Sequence, residues 1–352
     1  MSDPDRKIIR SGRLAQNIII IDGFPGCGKT LFGPIISSLD RVELLSYAFE
    51  IEFICRLNKL SKIEDDAAIS LIKMLVDHKL YQTMMGRDTN FRYSDLSSVF
   101  NDSSPLRYFK RIFQKGDDFV PERIKEENPI LSLTTHDLLA YSDPLVKGLE
   151  ERLTFIEILR HPLYMIIQET VNMETLYDKI NPRDIQIYFD YRGQQMPYFT
   201  AGWEEKFLQS NNVDRAIYTM HYCHEKTSVA KSSFQNSKSN LISIPFEKFV
   251  IDPYIYLNSI ASTANTKIIN KTYKSLKKQN VPRSKVSDGI PLEVYKRFGW
   301  VPPEKGLSEQ GELIKRRDWA IESGASDECL ELLDNLSREY EVKYLNAELE
   351  SS

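Results

Sequence analysis

Asn17-Ile-Ile-Ile-Ile-Asp22, followed at once by Gly23-Phe-Pro-Gly-Cys-Gly-Lys29-Thr30, opens the patterned part of this chain. A run of β-branched residues ending at a glycine-rich turn predicts a parallel strand buried on both faces. The segment after it fits G-x-x-x-x-G-K-[ST] in full, and Thr30–Leu39 carries helical periodicity, with Pro34 limiting where the first turn begins. Strand, glycine loop and helix in this order predict a phosphate-binding loop. Glycines let successive N–H groups converge on phosphate oxygens, and the helix N-terminus adds partial positive charge. Gly23, Phe24, Pro25, Gly26, Cys27 and Gly28 supply the loop, Lys29 a mobile cation and Thr30 a hydroxyl. Cys27 lies near a helix N-terminus, which can lower a thiol pKa, but it is read as a small loop residue rather than a nucleophile.

Outward from the loop, helices are expected over Glu43–Leu57 and Ile63–Leu80, while 86–128 shows no usable pattern. Pro129–Thr135 reads as a second strand, Asp137–Glu150 as a short helix and Leu153–Leu159 as a third strand. Pro162 opens a helix to about Leu176, because proline suits the first helical position. Asp184–Phe199 breaks the rhythm and predicts a β-hairpin turning at Arg192-Gly193-Gln194. A helix over Asn212–Lys231, a strand over Asn240–Ile244 and a helix from Pro253 restore it. The last forty residues are charged and helical, and are expected to wrap the outside. Alternating strands and helices predict one large α/β domain with a central parallel sheet, helices on both faces and an inserted hairpin. Its limits are set at 17–300, between an N-terminal extension (1–16) and a C-terminal helical extension (301–352).

Composition narrows the function. The chain has 352 residues, with 46 Lys plus Arg against 50 Asp plus Glu, a net charge of −4. No global positive field exists to hold nucleic acid, so anion binding must be local. One local excess stands out: Pro253–Ser287 has no acid, but carries Lys267, Lys271, Lys274, Lys277, Lys278, Arg283 and Lys285. Lys267, Lys271, Lys274 and Lys278 are spaced to share one helix face, and the bland reading is a solvated face. Four scattered cysteines form no CxxC pair, and no metal site is expected; His221 and His224 lack a ligand set. The longest uncharged stretch is too short to span a membrane, and the charged N-terminus lacks a signal-peptide core, so a cytoplasmic protein is expected.

Three further segments, in order after the loop, carry a family resemblance. They are Leu131-Ser-Leu-Thr-Thr-His136 with Asp137-Leu-Leu, Phe155-Ile-Glu-Ile-Leu-Arg160-His161-Pro162, and Ile244-Pro-Phe-Glu247-Lys-Phe-Val-Ile-Asp252-Pro253. Together they resemble the sulfotransferases that use 3′-phosphoadenylyl sulfate (PAPS), over roughly residues 17–290. The resemblance implies a three-layer P-loop-type fold and sulfuryl transfer from PAPS to a hydroxyl of a small molecule or carbohydrate. It implies His136 as the base, Lys29 at the 5′-phosphosulfate and Arg160 at the 3′-phosphate; Gln168 at the family's serine position, helped by Arg283 or Lys285 of the basic loop, is expected to bind the same phosphate.

The sequence departs from the family at named places. Gly26 stands where the family's loop has its cation, Gln168 where it has a serine, and Pro282–Gly289 where it has R-K-G-x-x-G. Two alternatives therefore stay open. A magnesium- and ATP-dependent kinase is favoured by the complete G-K-T and would need a carboxylate such as Asp190. A non-catalytic nucleotide-binding relative would keep the loop and lose turnover. The acceptor's pocket is expected between 86–128 and the hairpin, with aromatics such as Phe91, Tyr93, Tyr108, Phe109, Tyr188, Tyr198 and Phe199. The sequence carries no sign of the oligomeric state.

Overall fold

The structure, a computed structural model, describes residues 6–93, 95, 97–102, 104–177, 185–287 and 306–346. Its strands are β1 (Asn17–Asp22), β2 (Ser46–Tyr47), β3 (Ile130–Thr134), β4 (Leu153–Leu159), β5 (Tyr188–Tyr191), β6 (Gln194–Pro197) and β7 (Asn240–Pro245). Five of them form a parallel sheet in the order β2-β3-β1-β4-β7, and β5 and β6 pair antiparallel as the predicted hairpin. Ile20 of β1 lies opposite Leu133 on one side and Phe155 on the other, which fixes the register at the centre.

The apolar run of β1 follows from its position. Successive side chains of a strand point to opposite faces. Ile18 and Ile20 enter one core with Leu131, Leu133 and Phe155, while Ile19 and Ile21 enter another with Ile156 and Ile158. Both faces are covered, so no position of the run tolerates a polar residue. Helices Lys29–Ile36, Pro162–Tyr177 and Tyr254–Thr263 close the second core; Phe49–Lys59, Asp65–Met85 and Asp143–Leu149 close the first. The fold is a three-layer α/β architecture.

Several elements differ from expectation. The helix placed at Glu43–Leu57 begins only at Phe49, because Val42 bridges to Ile130 and Ser46–Tyr47 is captured by β3 as an edge strand. Asp137–Glu150 is split into a 3₁₀ turn (Leu138–Tyr141) and a helix (Asp143–Leu149), with Pro144 opening the second piece. The patternless 86–128 holds two short helices, Pro105–Arg111 and Phe119–Glu127, the first tied down by a buried two-pronged pair of Arg111 with Glu43 at 2.7 and 2.8 Å. Lys267 precedes the helix Asn270–Lys278, so the four-lysine face is reduced to Lys271, Lys274 and Lys278. The C-terminal helices Glu309–Glu322 and Asp327–Tyr340 do more than wrap the surface, since Ala320, Cys329 and Leu333 are fully buried. Asp184, Gly289 and the boundary at 300/301 lie outside the described residues.

The topology positions the site. The chain leaves β1 towards the β2–β3 side and leaves β4 towards β7. Where neighbouring strands send their connections in opposite directions, a crevice opens at their carboxyl ends. Gly23–Thr30 follows β1, and Arg160 follows β4.

Candidate phosphate-binding site

The loop owes its shape to three glycines at positive φ: Gly23 (151°), Gly26 (85°) and Gly28 (102°). A side chain at Gly23 would meet the Ile158 carbonyl oxygen at 2.5 Å, and one at Gly28 would meet the Phe246 ring at 2.4 Å. The chain is thereby pressed between β4 and the segment after β7. Phe24 and Pro25 are half-buried in the turn, closed by the Cys27 N–H donating to the Phe24 carbonyl at 3.1 Å. Lys29 and Thr30 begin the following helix, and both are half-buried. Lys29 folds back, its Nζ donating to the carbonyls of Gly23 and, at 3.3 Å, of Phe24. Cys27 is buried, and that burial pushes its thiol pKa up against the pull of Lys29, so the lowering that a helix N-terminus offers is overridden.

Two predicted partners reach this loop. Arg160 Nη1 donates to the Gly26 carbonyl at 2.9 Å, while its buried Nε has no acceptor among the described residues. Gln168 lies against Gly26, its Oε1 3.1 Å from where a Cβ there would sit. Arg160 and Arg283 both approach the Phe246 ring, at 4.6 and 5.8 Å from its centroid. Arg283 is held by the Asn280 and Val286 carbonyls at 3.0 and 3.2 Å. Lys285 is exposed on the same turn.

His136 follows β3, and the Asp137 N–H donates to the Gly23 carbonyl at 3.3 Å, which stitches this segment to the loop. The imidazole Nδ1 lies 3.1 Å from Glu52 Oε1, which also accepts the His136 backbone N–H at 3.0 Å. Glu52 is ion-paired with Arg56 at 3.0 Å, so its carboxylate acts as acceptor and Nδ1 as donor. Nε2 is then the basic nitrogen, on a side chain 34% exposed. Arg56 ties the cluster together: it donates to the His136 carbonyl (2.8 Å) and Asp137 Oδ1 (2.9 Å) and packs 4.1 Å over Tyr198. Burial raises the Asp137 carboxyl above its usual value, although Arg56 and the Tyr198 hydroxyl oppose this.

The sequence reading missed Glu52, Arg56 and Phe246. Glu52 and Arg56 are four apart on a helix, which reads as an ordinary surface pair, and nothing local says that both are buried. Tyr47 and Phe49 were missed too; with His136 they form three near-parallel rings 5.7–6.3 Å apart. The expected pocket aromatics divide: Phe91, Tyr93 and Phe109 cluster with Phe100, Tyr108 is buried on the Leu44 N–H, and Tyr198 joins the His136 segment, its hydroxyl donating to Asp137 Oδ2 at 2.7 Å, with Phe199 packed against its ring. Asp190 is exposed on the hairpin and accepts the Gly193 N–H at 3.3 Å, away from the carboxyl end of any central strand.

No known family profile matches the sequence, and no curated protein matches it. Among solved structures, the chain is similar to the sulfotransferase domain from the curacin biosynthetic pathway, at 14% identity and a TM-score of 0.43, covering 88% of this chain and 98% of that one. It is similar to a sulfotransferase from Mycobacterium avium at 14% identity and a TM-score of 0.41, covering 97% and 79%. It is also similar to the sulfotransferase domain of the Synechococcus PCC 7002 olefin synthase at 11% identity and a TM-score of 0.39, covering 92% and 98%.

Proposed function

We propose that this protein is a PAPS-dependent sulfotransferase. The observation that carries the reading is Arg160: a guanidinium bonded to the loop carbonyl of Gly26, with a buried Nε that no group among the described residues satisfies. A buried donor without an acceptor is costly, and a phosphate oxygen is a fitting acceptor for it. The residues suit an adenosine bisphosphate. Lys29 and the N-terminus of its helix meet the 5′ end; Arg160, Gln168 and Arg283, with Lys285 beside them, meet the 3′-phosphate. PAPS, when bound, supplies the sulfuryl group.

The remaining chemistry belongs to the chain. Lys29 exchanges its own loop carbonyls for phosphate oxygens and offsets the charge that grows on the leaving group. Glu52 accepts from Nδ1 and so leaves Nε2 as the nitrogen by which His136 takes the proton from an acceptor hydroxyl. The acceptor is read as a hydroxylated small molecule or carbohydrate.

Calorimetric titration tests this directly. The expected result is metal-independent binding of 3′,5′-adenosine bisphosphate in the micromolar range, weakened about a hundredfold or more in Arg160→Ala, as for loss of a charged contact. Binding of ATP that requires magnesium, with none of the bisphosphate, would give the loop to a kinase instead.

A further inference from the structure

The acid-free stretch Pro253–Ser287 takes no part in the site until Arg283. Its lysines form a surface. On the helix Asn270–Lys278 the buried residues Thr272 and Leu276 define the inner side, and Lys271, Lys274, Lys277 and Lys278 are all exposed on the rest. Lys267 is exposed just before the helix. None of these five lysines is in an ion pair among the described residues. Asp102 feels the charge of Lys271, but the neighbouring acids are engaged by other groups as well. Asp102 is buried beside Arg107, Asp40 sits 3.7 Å from Arg41, and the Asp252 carboxylate accepts the Tyr254 N–H at 3.2 Å.

Large apolar side chains stand among these charges. Tyr273, on the lysine helix, meets Tyr254 of the neighbouring helix with ring centroids 6.2 Å apart, and both are exposed, as is Ile255. On the other flank, Lys271 reaches Ser104 and Lys278 reaches Asn101 at 3.2 Å. That brings Phe100 and Leu106 beside the helix, with Leu106 70% exposed. Lysines without an ion pair among the described residues, set between exposed tyrosines and aliphatics, match a lipid headgroup layer. The cations meet anionic headgroups, and the aromatic and aliphatic groups enter the region below. An acidic protein would use the charges but leave Leu106 and Ile255 in water.

The geometry points to this face, built on Lys267, Lys271, Lys274, Lys277, Lys278 and Tyr273, as a docking surface for a membrane bearing anionic lipids. It neighbours the turn that carries Arg283, so docking would hold the phosphate site close to the lipid surface. The inference does not depend on which group the site transfers.

Flotation of the full chain with vesicles tests it. The protein should float with phosphatidylcholine vesicles containing phosphatidylserine, and far less with phosphatidylcholine alone. Charge reversal of three exposed lysines (K271E, K274E and K278E together) should cut the bound fraction at least about tenfold, and high salt should do the same. Replacing the apolar contribution, Y273S with I255S, should weaken binding while leaving its salt dependence intact. Circular dichroism of each variant separates lost docking from lost folding. No flotation of the wild type, equal binding to both vesicles, or full binding by the folded charge-reversed variant would each overturn the proposal.

Discussion

Gly28 shows how closely the candidate phosphate site is packed. Its φ of 102° disfavours any L side chain, and a methyl there would lie 2.4 Å from Cε2 of Phe246. The same ring stands against Arg160 and Arg283, so it cannot retreat without moving both guanidinium groups. Gly28→Ala is therefore expected to lose ~1–3 kcal/mol of stability from backbone strain and crowding. It should also weaken 3′,5′-adenosine bisphosphate more than Gly26→Ala, whose neighbour is only the movable end of Gln168. Urea unfolding and calorimetry on the two variants check this. Equal stability and affinity for both would mean that the Phe246 ring yields freely.

The C-terminal helix acts on the element that carries Arg160. The Tyr340 hydroxyl donates to Glu247 Oε2 at 2.5 Å, and Glu247 Oε1 accepts the His161 N–H at 3.1 Å. His161 Nδ1 accepts the Leu163 N–H at 3.2 Å, which leaves Nε2 to donate to Glu341 at 3.1 Å. The turn after β4 is thus fastened to a helix far away in sequence. Tyr340→Phe keeps the ring and leaves a buried carboxylate oxygen unpaired, an expected loss of ~1–3 kcal/mol. A shift in the urea midpoint measures it, and an unchanged midpoint would mean that water replaces the hydroxyl. These contacts also mark the limit of what could be read from the sequence. β1, its loop and the long helices were legible because burial on both faces of a strand, or one face of a helix, leaves a local pattern. β2 was not, since two residues become a strand only when β3 supplies partners. The helix Pro105–Arg111 depends on Glu43, and the partner of His136 lies 84 residues away in the chain. Arg160 and His136 stand out through ordered motifs; Glu52, Arg56 and Tyr340 join the candidate site by tertiary packing alone.

At the scale of the molecule, buried carboxyls set opposing pH dependences. Glu43 is pulled below its ordinary value, because the hydrogen bonds and charges of Arg111 and Arg107 outweigh the burial that would raise it. Its contribution is present above that ordinary value and is lost as pH falls through the folded-state value. Glu169, on the helix that carries Gln168, goes the other way. Burial pushes its pKa up to about 7, and the Asn172 hydrogen bond at 2.9 Å offsets this only in part. Below its ordinary value of 4.5, Glu169 is protonated in both folded and unfolded chains and costs nothing. Between there and about 7 the unfolded chain ionises first, so folding loses stability as pH rises, reaching about 3 kcal/mol above the folded-state value. Glu169→Gln removes this cost while keeping a similar shape. The variant should match the wild type near pH 4.5 and exceed it by roughly 2–3 kcal/mol at pH 8. Urea unfolding of both proteins at the two pH values gives the difference, in which Glu43 cancels because both chains share it. A gap that stays constant with pH would show that the folded and unfolded pKa values of Glu169 are equal, the Asn172 hydrogen bond and the Lys29 charge cancelling the effect of burial.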